Sequence, residues 1–96
     1  MQTLDSIQNT LKSRKAELFE RFRIKNLAIF GSYARNEQRA DSDVDMLVEF
    51  DAPVGIEFID LADQLESILK LRVELVSRAG IKPKYYNAIS IDLRYV

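Results

Sequence analysis

The residues of this sequence best suited to chemistry are two aspartates, Asp43 and Asp45. They lie at the start of a stretch, Val44 to Phe50, in which polar and apolar residues alternate. A period of two predicts a β-strand, in which residues two apart project from the same face about 6.6–7 Å apart along the chain. Two carboxylates so close raise each other's pKa unless a cation lies between them. The pair therefore predicts a site for Mg²⁺, which proteins usually hold with one or two carboxylates and substrate phosphates.

A second candidate is the dipeptide Gly31-Ser32, which follows a short apolar run from Asn26 to Phe30. That run predicts a largely buried strand. Glycine lets a backbone approach a phosphate closely, and Ser32 supplies a hydroxyl and suits the N-cap of one or two helical turns. Gly-Ser alone usually marks a turn, and Asp-x-Asp alone usually marks an exposed strand end. Together, at the ends of two strands, they predict a phosphate cradle facing a cation.

If the cation and phosphate serve attack by a hydroxyl, a third acid is expected near them to help deprotonate it, and Glu74 is the candidate. It lies in the middle of a predicted strand, where an acid is unusual unless it is paired or functional. An exposed strand face, or an ion pair with Arg72, is the alternative interpretation. Asp41 forms a second Asp-x-Asp with Asp43 but precedes the alternation and is expected in a turn. Glu49 shares the acidic face but lies too far along the strand.

The composition excludes several classes of protein. The chain has no Cys and no His, which rules out disulfides, thiolate metal sites and Ser-His-Asp triads within it. A net charge of −1 offers no global positive field for nucleic acid. No apolar run approaches the roughly 18 residues of a membrane span, so we expect a cytoplasmic protein without membrane or direct nucleic-acid partners. The length, 96 residues, predicts a single domain over 1–96.

The remaining elements follow from periodicity and from Gly or Pro breaks. The pattern predicts an α+β fold, a small mixed β-sheet with helices packed on one side and acidic strands facing an open cleft. The last residues, 91–96, are ambiguous between helix, edge strand and docked tail. The other predicted elements are a first helix over 3–22, a second helix over 58–70, a third strand over 72–77 and a short helix over 84–90.

The segment from Gly31 to Val48, with ten residues between Gly-Ser and Asp-x-Asp, resembles the signature of the minimal nucleotidyltransferases. These belong to the DNA polymerase β-like superfamily, and the resemblance covers nearly the whole chain. It implies the nucleotidyltransferase fold and two Mg²⁺ ions held by Asp43 and Asp45. It also implies terminal phosphates bound by Gly31 and Ser32. Glu74 stands where the family more often has a third aspartate.

The resemblance also bears on Arg35 and on the partner. Arg35 falls in the family's Ala-Arg step, where it could serve phosphate or pack the loop, although a surface ion pair would equally explain it. Small proteins of this type are commonly antitoxins paired with a helical HEPN-type ribonuclease toxin. The resemblance therefore implies a type VII antitoxin, a protein adenylyltransferase that moves AMP from ATP to a toxin tyrosine hydroxyl.

Two other functions stay open at this point. A stoichiometric binder could neutralise a partner through its surface, using helix one and the region around Tyr85, Tyr86 and Tyr95. A small-molecule nucleotidyltransferase is the other, but such relatives carry an added substrate domain that these 96 residues lack. Replacing both aspartates would separate binding from catalysis.

Overall fold

The computed structural model describes residues 2–96 and contains a four-stranded sheet with three α-helices. The predicted element types are confirmed, with ends that shift by one or two residues. Residues 91–96, which the sequence left ambiguous, complete a short 3-10 turn and form an edge strand. In chain order the elements are α1 Leu4–Phe22, β1 Ile24–Phe30, β2 Val44–Phe50, α2 Glu57–Leu69, β3 Val73–Ser77, α3 Pro83–Ile89, the 3-10 turn Ser90–Asp92 and β4 Arg94–Tyr95.

The sheet is mixed, with the strand order β3-β2-β1-β4. Strand β1 pairs antiparallel with both β2 and β4, whereas β3 runs parallel to β2. A parallel neighbour needs a crossover connection, and α2 provides it between β2 and β3. Because β1 and β2 run in opposite directions, the end of β1 lies beside the start of β2.

One face of the sheet packs against α1 and α2, as predicted. Strand residues that point to this face, such as Ile29, Met46 and Val48, pack with the buried apolar residues of both helices in a single core. The helix residues in that core recur at helical spacing, which is why the sequence pattern revealed them. They are Ile7, Leu11, Leu18, Phe22, Leu61, Leu65 and Leu69.

The opposite face carries a smaller apolar cluster. Phe30 and Leu47, which have the other strand parity, pack with Ile89 of α3 and with the partly buried Val76 and Tyr86. The short α3 therefore covers the middle of this face. No helix within residues 2–96 is both long and apolar enough to cross a membrane.

The start of α1 allows a test of the local sequence rules. The Thr3 hydroxyl accepts a hydrogen bond from the backbone N–H of Ser6, and the Ser6 hydroxyl accepts one from that of Thr3. Replacing Thr3 with alanine leaves a helix-end N–H without its partner, so we expect a loss of about 1 kcal/mol of unfolding free energy. Chemical denaturation measures this. Ser13→Ala, in the middle of the same helix, should have a smaller effect, and equal effects would contradict the capping role.

Candidate active site

The pairing of the three long strands brings Gly31, Asp45 and Glu74 together at one end of these strands. Phe30, the last residue of β1, lies opposite Asp45 of β2. Asp45 in turn lies beside Glu74 of β3. Neighbouring strands are about 4.8 Å apart, and paired residues share a face of the sheet. Three of the predicted residues, separated by up to 43 positions in the chain, therefore form one short row.

Gly31 and Asp45 are in direct contact. Gly31 has a φ of 75°, a conformation that residues with a Cβ rarely adopt. A Cβ added there would collide with Oδ2 of Asp45. The carboxylate thus occupies the space that a side chain at position 31 would need, and only glycine allows the loop to approach the acid this closely.

The loop after Gly31 is a series of hydrogen-bonded turns. The N–H of Arg35 donates to the carbonyl of Gly31, 3.1 Å away, and that of Glu37 donates to Ser32, 2.8 Å away. The sequence suggested one or two helical turns capped by Ser32, but no regular helix follows it. The reason is that Tyr33 is drawn into the core and Asn36 adopts a positive φ of 61°.

The carboxyl group of Asp45 is perturbed electrostatically. Partial burial, followed by the nearby Glu74 carboxylate, raises its pKa from 3.8 to about 6, with Asp43 adding to the effect and Arg35 opposing it. Burial and like charge both disfavour the ionised form. This row of acids therefore concentrates negative charge, a property suited to a bound cation.

The raised pKa of Asp45 predicts an unusual pH dependence in a chelating buffer. Because the folded protein binds the proton more tightly than the unfolded chain, Asp45 stabilises the fold below pH 3.8, and this contribution is lost as the pH rises through about 6. After allowance for solvent screening of a partly exposed group, we expect a change of about 1–2 kcal/mol. The difference in unfolding free energy between wild type and Asp45→Asn, measured from pH 4 to 8, isolates it. A difference independent of pH would contradict the assignment.

Asp43 lies just before β2 and is held by Arg72. The Arg72 Nε is 3.0 Å from Oδ1 of Asp43, and the side chains are 76% and 41% exposed. That oxygen is itself buried and has no hydrogen-bond partner among residues 2–96, so the contact is an ion pair in which the N–H does not point at the oxygen. The sequence allowed an ion pair between Arg72 and Glu74, but the structure pairs Arg72 with Asp43.

Arg35 lies beside the site but is engaged elsewhere. Its guanidinium forms ion pairs with Glu37 at 3.0 Å and with Asp92 at 2.6 Å. The Asp92 side chain is only 16% exposed, so this contact fastens the loop after Gly31 to the 3-10 turn. Arg35 also lowers the pKa of Asp45 through its charge. The surface ion pair foreseen as an alternative is present, and a phosphate role for Arg35 stays a prediction.

The acidic side chains of the site are of the type that binds a hard cation, but they do not enclose a cation site by themselves. Within residues 2–96, no three acidic side chains are gathered closely enough to hold a metal ion as they stand. The charge of Asp43 nevertheless helps to raise the pKa of Asp45, and the Asp43 side chain is 41% exposed and so accessible to a ligand. Mg²⁺ needs only one or two carboxylates when substrate phosphates complete its shell. The donor set therefore fits.

The rejected candidates are placed as expected. Asp41 is exposed in a turn before β2, and Glu49 accepts a hydrogen bond of 2.9 Å from Asn26. A groove of about 750 Å³ opens near Glu49, Asp51 and Arg78, at the opposite end of β2 from Asp45. The acids themselves lie on an open surface, where Glu74 and Arg72 are exposed.

Sequence reasoning missed one neighbour of the site and gave another a different partner. Asp92 gave no signal, because it lies 57 residues from its partner Arg35 in the chain. The sequence suggested Arg72 only as a partner of Glu74, because its contact with Asp43 depends on β3 lying parallel beside β2, which the sequence does not specify.

Comparison with known proteins finds relatives that match nearly the whole chain. The model of the nucleotidyltransferase domain family matches residues 11–96. The protein adenylyltransferase MntA of Thermococcus cleftensis is 41% identical over 97 residues, which cover 100% of this chain and 98% of the relative. Most of the chain, including every candidate site residue, thus lies inside the matched region.

Two solved structures share the fold. One, described as a candidate minimal nucleotidyltransferase, is 29% identical with a TM-score of 0.82 and covers 97% of this chain and 95% of its own. The other is a complex of a tri-AMPylated Shewanella oneidensis HEPN toxin with an MNT antitoxin. Its matched chain is 20% identical, with a TM-score of 0.67, and the coverage is 93% of this chain and 70% of that one. The chain is therefore an enzyme of the nucleotidyltransferase domain family, in its group of minimal nucleotidyltransferases.

Proposed function

We propose that this enzyme transfers AMP from ATP to a tyrosine hydroxyl of a HEPN-type toxin and thereby acts as the antitoxin of a type VII pair. The observation that carries the proposal is the contact between Gly31 and the Asp45 carboxylate, with Glu74 alongside. It joins a backbone able to approach phosphate with acids able to hold a cation, at one open edge of the sheet.

The residues of the loop bind the donor. Gly31 lets the backbone approach the terminal phosphates, and the half-buried Ser32 offers its hydroxyl to them. Asp43 and Asp45 would hold Mg²⁺, with Glu74 as a further ligand. The resemblance to the minimal nucleotidyltransferases implies two such ions. A metal held there would neutralise charge on the phosphates and so favour attack at the α-phosphorus. Arg35 adds positive charge on the same side of the site.

The reaction balances without any further reagent. The tyrosine oxygen attacks the α-phosphorus of ATP, and the bond from that phosphorus to the bridging oxygen of the β-phosphate breaks. Pyrophosphate leaves, and the hydroxyl proton passes to Glu74, an exposed carboxylate next to Asp45 in the sheet. Proton transfer of this kind needs a base within hydrogen-bond reach of the attacking oxygen.

The acceptor is inferred from the openness of the site and from the known complexes. Glu74 and Arg72 are exposed, so the acids are accessible to a side chain on another protein. The AMP-modified HEPN toxin bound to an MNT antitoxin, of the same fold, supports the choice of partner class. We place the reaction in the cytoplasm, where ATP is supplied.

The test is a mass measurement on the partner. The protein is mixed with ATP, Mg²⁺ and the product of the neighbouring gene, and the neighbour is weighed before and after. We expect a gain of one or more AMP units located on tyrosine by fragmentation. An unchanged mass, although the two proteins bind each other, would overturn the proposal and favour a stoichiometric binder. Transfer of AMP to a small molecule instead would favour a small-molecule nucleotidyltransferase.

A further inference from the structure

The guanidinium of Arg72 lies beside Asp43 in the acidic site, and none of the roles above uses it. Its Nε is 3.0 Å from the buried Oδ1 of Asp43. Its Nη2 donates to the carbonyl of Asp41, 3.4 Å away. Its backbone carbonyl accepts a hydrogen bond of 2.9 Å from the N–H of Val44. Arg72 thus contacts the chain before, at and after Asp43.

We propose that Arg72 is a positioning residue that fixes the Asp43 carboxylate for cation binding, an inference that rests on the metal site of the proposed function. The ion pair occupies Oδ1, which is buried, and the exposed part of the side chain, 41% of it, is left to face a ligand. A carboxylate tethered through one oxygen presents the other in a fixed direction. Because Oδ1 of Asp43 has no hydrogen-bond partner within residues 2–96, its restraint comes from the ion pair with Arg72.

The position of Arg72 in the chain extends this effect to the other acids. Arg72 immediately precedes β3, where Val73 lies beside Val44 and Glu74 lies beside Asp45. The same residue therefore joins the starts of the two parallel strands that carry the acids. Partners of this kind, which hold a metal ligand without touching the metal, typically change metal affinity by about 10–100-fold when removed.

A simple charge effect would act in the opposite direction. Removing a positive charge beside an acidic site should strengthen cation binding, although for so exposed a guanidinium the gain in affinity is at most about fivefold. The sign of the change therefore separates positioning from electrostatic competition. A direct contact of Arg72 with the nucleotide would leave metal binding without nucleotide unchanged.

The experiment measures Mn²⁺ binding to the nucleotide-free protein by electron paramagnetic resonance. We expect Arg72→Ala to bind Mn²⁺ about 10–100-fold more weakly than wild type. Arg72→Lys should restore part of the affinity, because lysine keeps the charge and loses the planar geometry of the guanidinium. The matched control is Arg14→Ala, which removes another exposed ion pair, with Glu17, on α1.

A double-mutant cycle with Asp43→Asn shows whether Arg72 acts through Asp43. We expect the effect of Arg72→Ala to vanish in the Asp43→Asn background, since contacting residues are non-additive. Thermal unfolding in chelator should be nearly unchanged, as for other exposed ion pairs. Unchanged or tighter Mn²⁺ binding by Arg72→Ala would overturn the positioning role alone. A wild-type protein that binds no Mn²⁺, either alone or with a non-hydrolysable ATP analogue that supplies the phosphates, would overturn the metal site and this role together.

Discussion

Replacing Asp45 with asparagine is expected to lower the rate of AMP transfer by on the order of 10³-fold, if the acid contributes the several kcal/mol typical of a metal site. Asparagine keeps the shape of the side chain that contacts Gly31 but removes the negative charge that the cation requires. The measurement is the initial rate of AMP incorporation into the partner under saturating ATP and Mg²⁺. Growth rescue by the mutant in cells producing the toxin provides a second measurement.

The fold of this mutant is not expected to suffer. The charged Asp45 is disfavoured by burial and by Glu74, which is why its pKa rises to about 6. Asparagine should therefore stabilise the protein at neutral pH in chelator, so a loss of transfer could not be attributed to unfolding. Glu49→Gln is the matched control, because Glu49 lies on the same face of β2 but is bound to Asn26. Full neutralisation of the toxin by Asp45→Asn would instead indicate a stoichiometric binder.

Replacing Gly31 with alanine is expected to damage both stability and transfer. The new Cβ would meet Oδ2 of Asp45, and the backbone would hold φ at 75°, which disfavours alanine. We expect the unfolding free energy to fall by about 2–4 kcal/mol, from backbone strain and overpacking together. Transfer should fall by at least about 10²-fold in the fraction that stays folded, because displacing a catalytic group by about 1 Å has that effect.

The control for Gly31 is another glycine of the chain. A Cβ on Gly80 would lie 3.9 Å from the carbonyl oxygen of Ser77, an ordinary contact. Gly80→Ala should therefore leave the transfer rate unchanged. Denaturation curves, paired with rates measured well below the melting temperature, separate the two effects. A Gly31→Ala protein with wild-type stability and rate would contradict the close approach of Gly31 to Asp45.

Much of the fold could be predicted because its signals are local. The helices α1 and α2 carry apolar residues at helical spacing, and β2 alternates with a period of two. The weaker signals were near the chain end, where two residues of β4 are too few to show a period. The segment after Ser32 forms hydrogen-bonded turns, one of them closed by an i→i−4 bond from Arg35 to Gly31, but not a regular helix. The positive φ of Asn36 ends these turns.

The candidate site divides in the same way. Gly31-Ser32 and the aspartate pair were recognised by residue type and spacing, and their assigned roles stay predictions until a metal or nucleotide is bound. The sequence could not predict three contacts of the site. They are the contact of Asp45 with Gly31, the pairing of Asp45 with Glu74 and the ion pair of Arg72 with Asp43. Each depends on strand register, which a local pattern does not specify.

The sequence by itself determined which residues could do chemistry and which elements would carry them, because both follow from residue type and short-range periodicity. Only the tertiary structure decided that the start of β2 lies between the end of β1 and the start of β3. That arrangement, set by pairing between residues distant in the chain, places a glycine without a side chain under one acid and an arginine beside another. The physical reason is that close approach and charge coupling act over a few ångströms in space, whatever the separation along the chain.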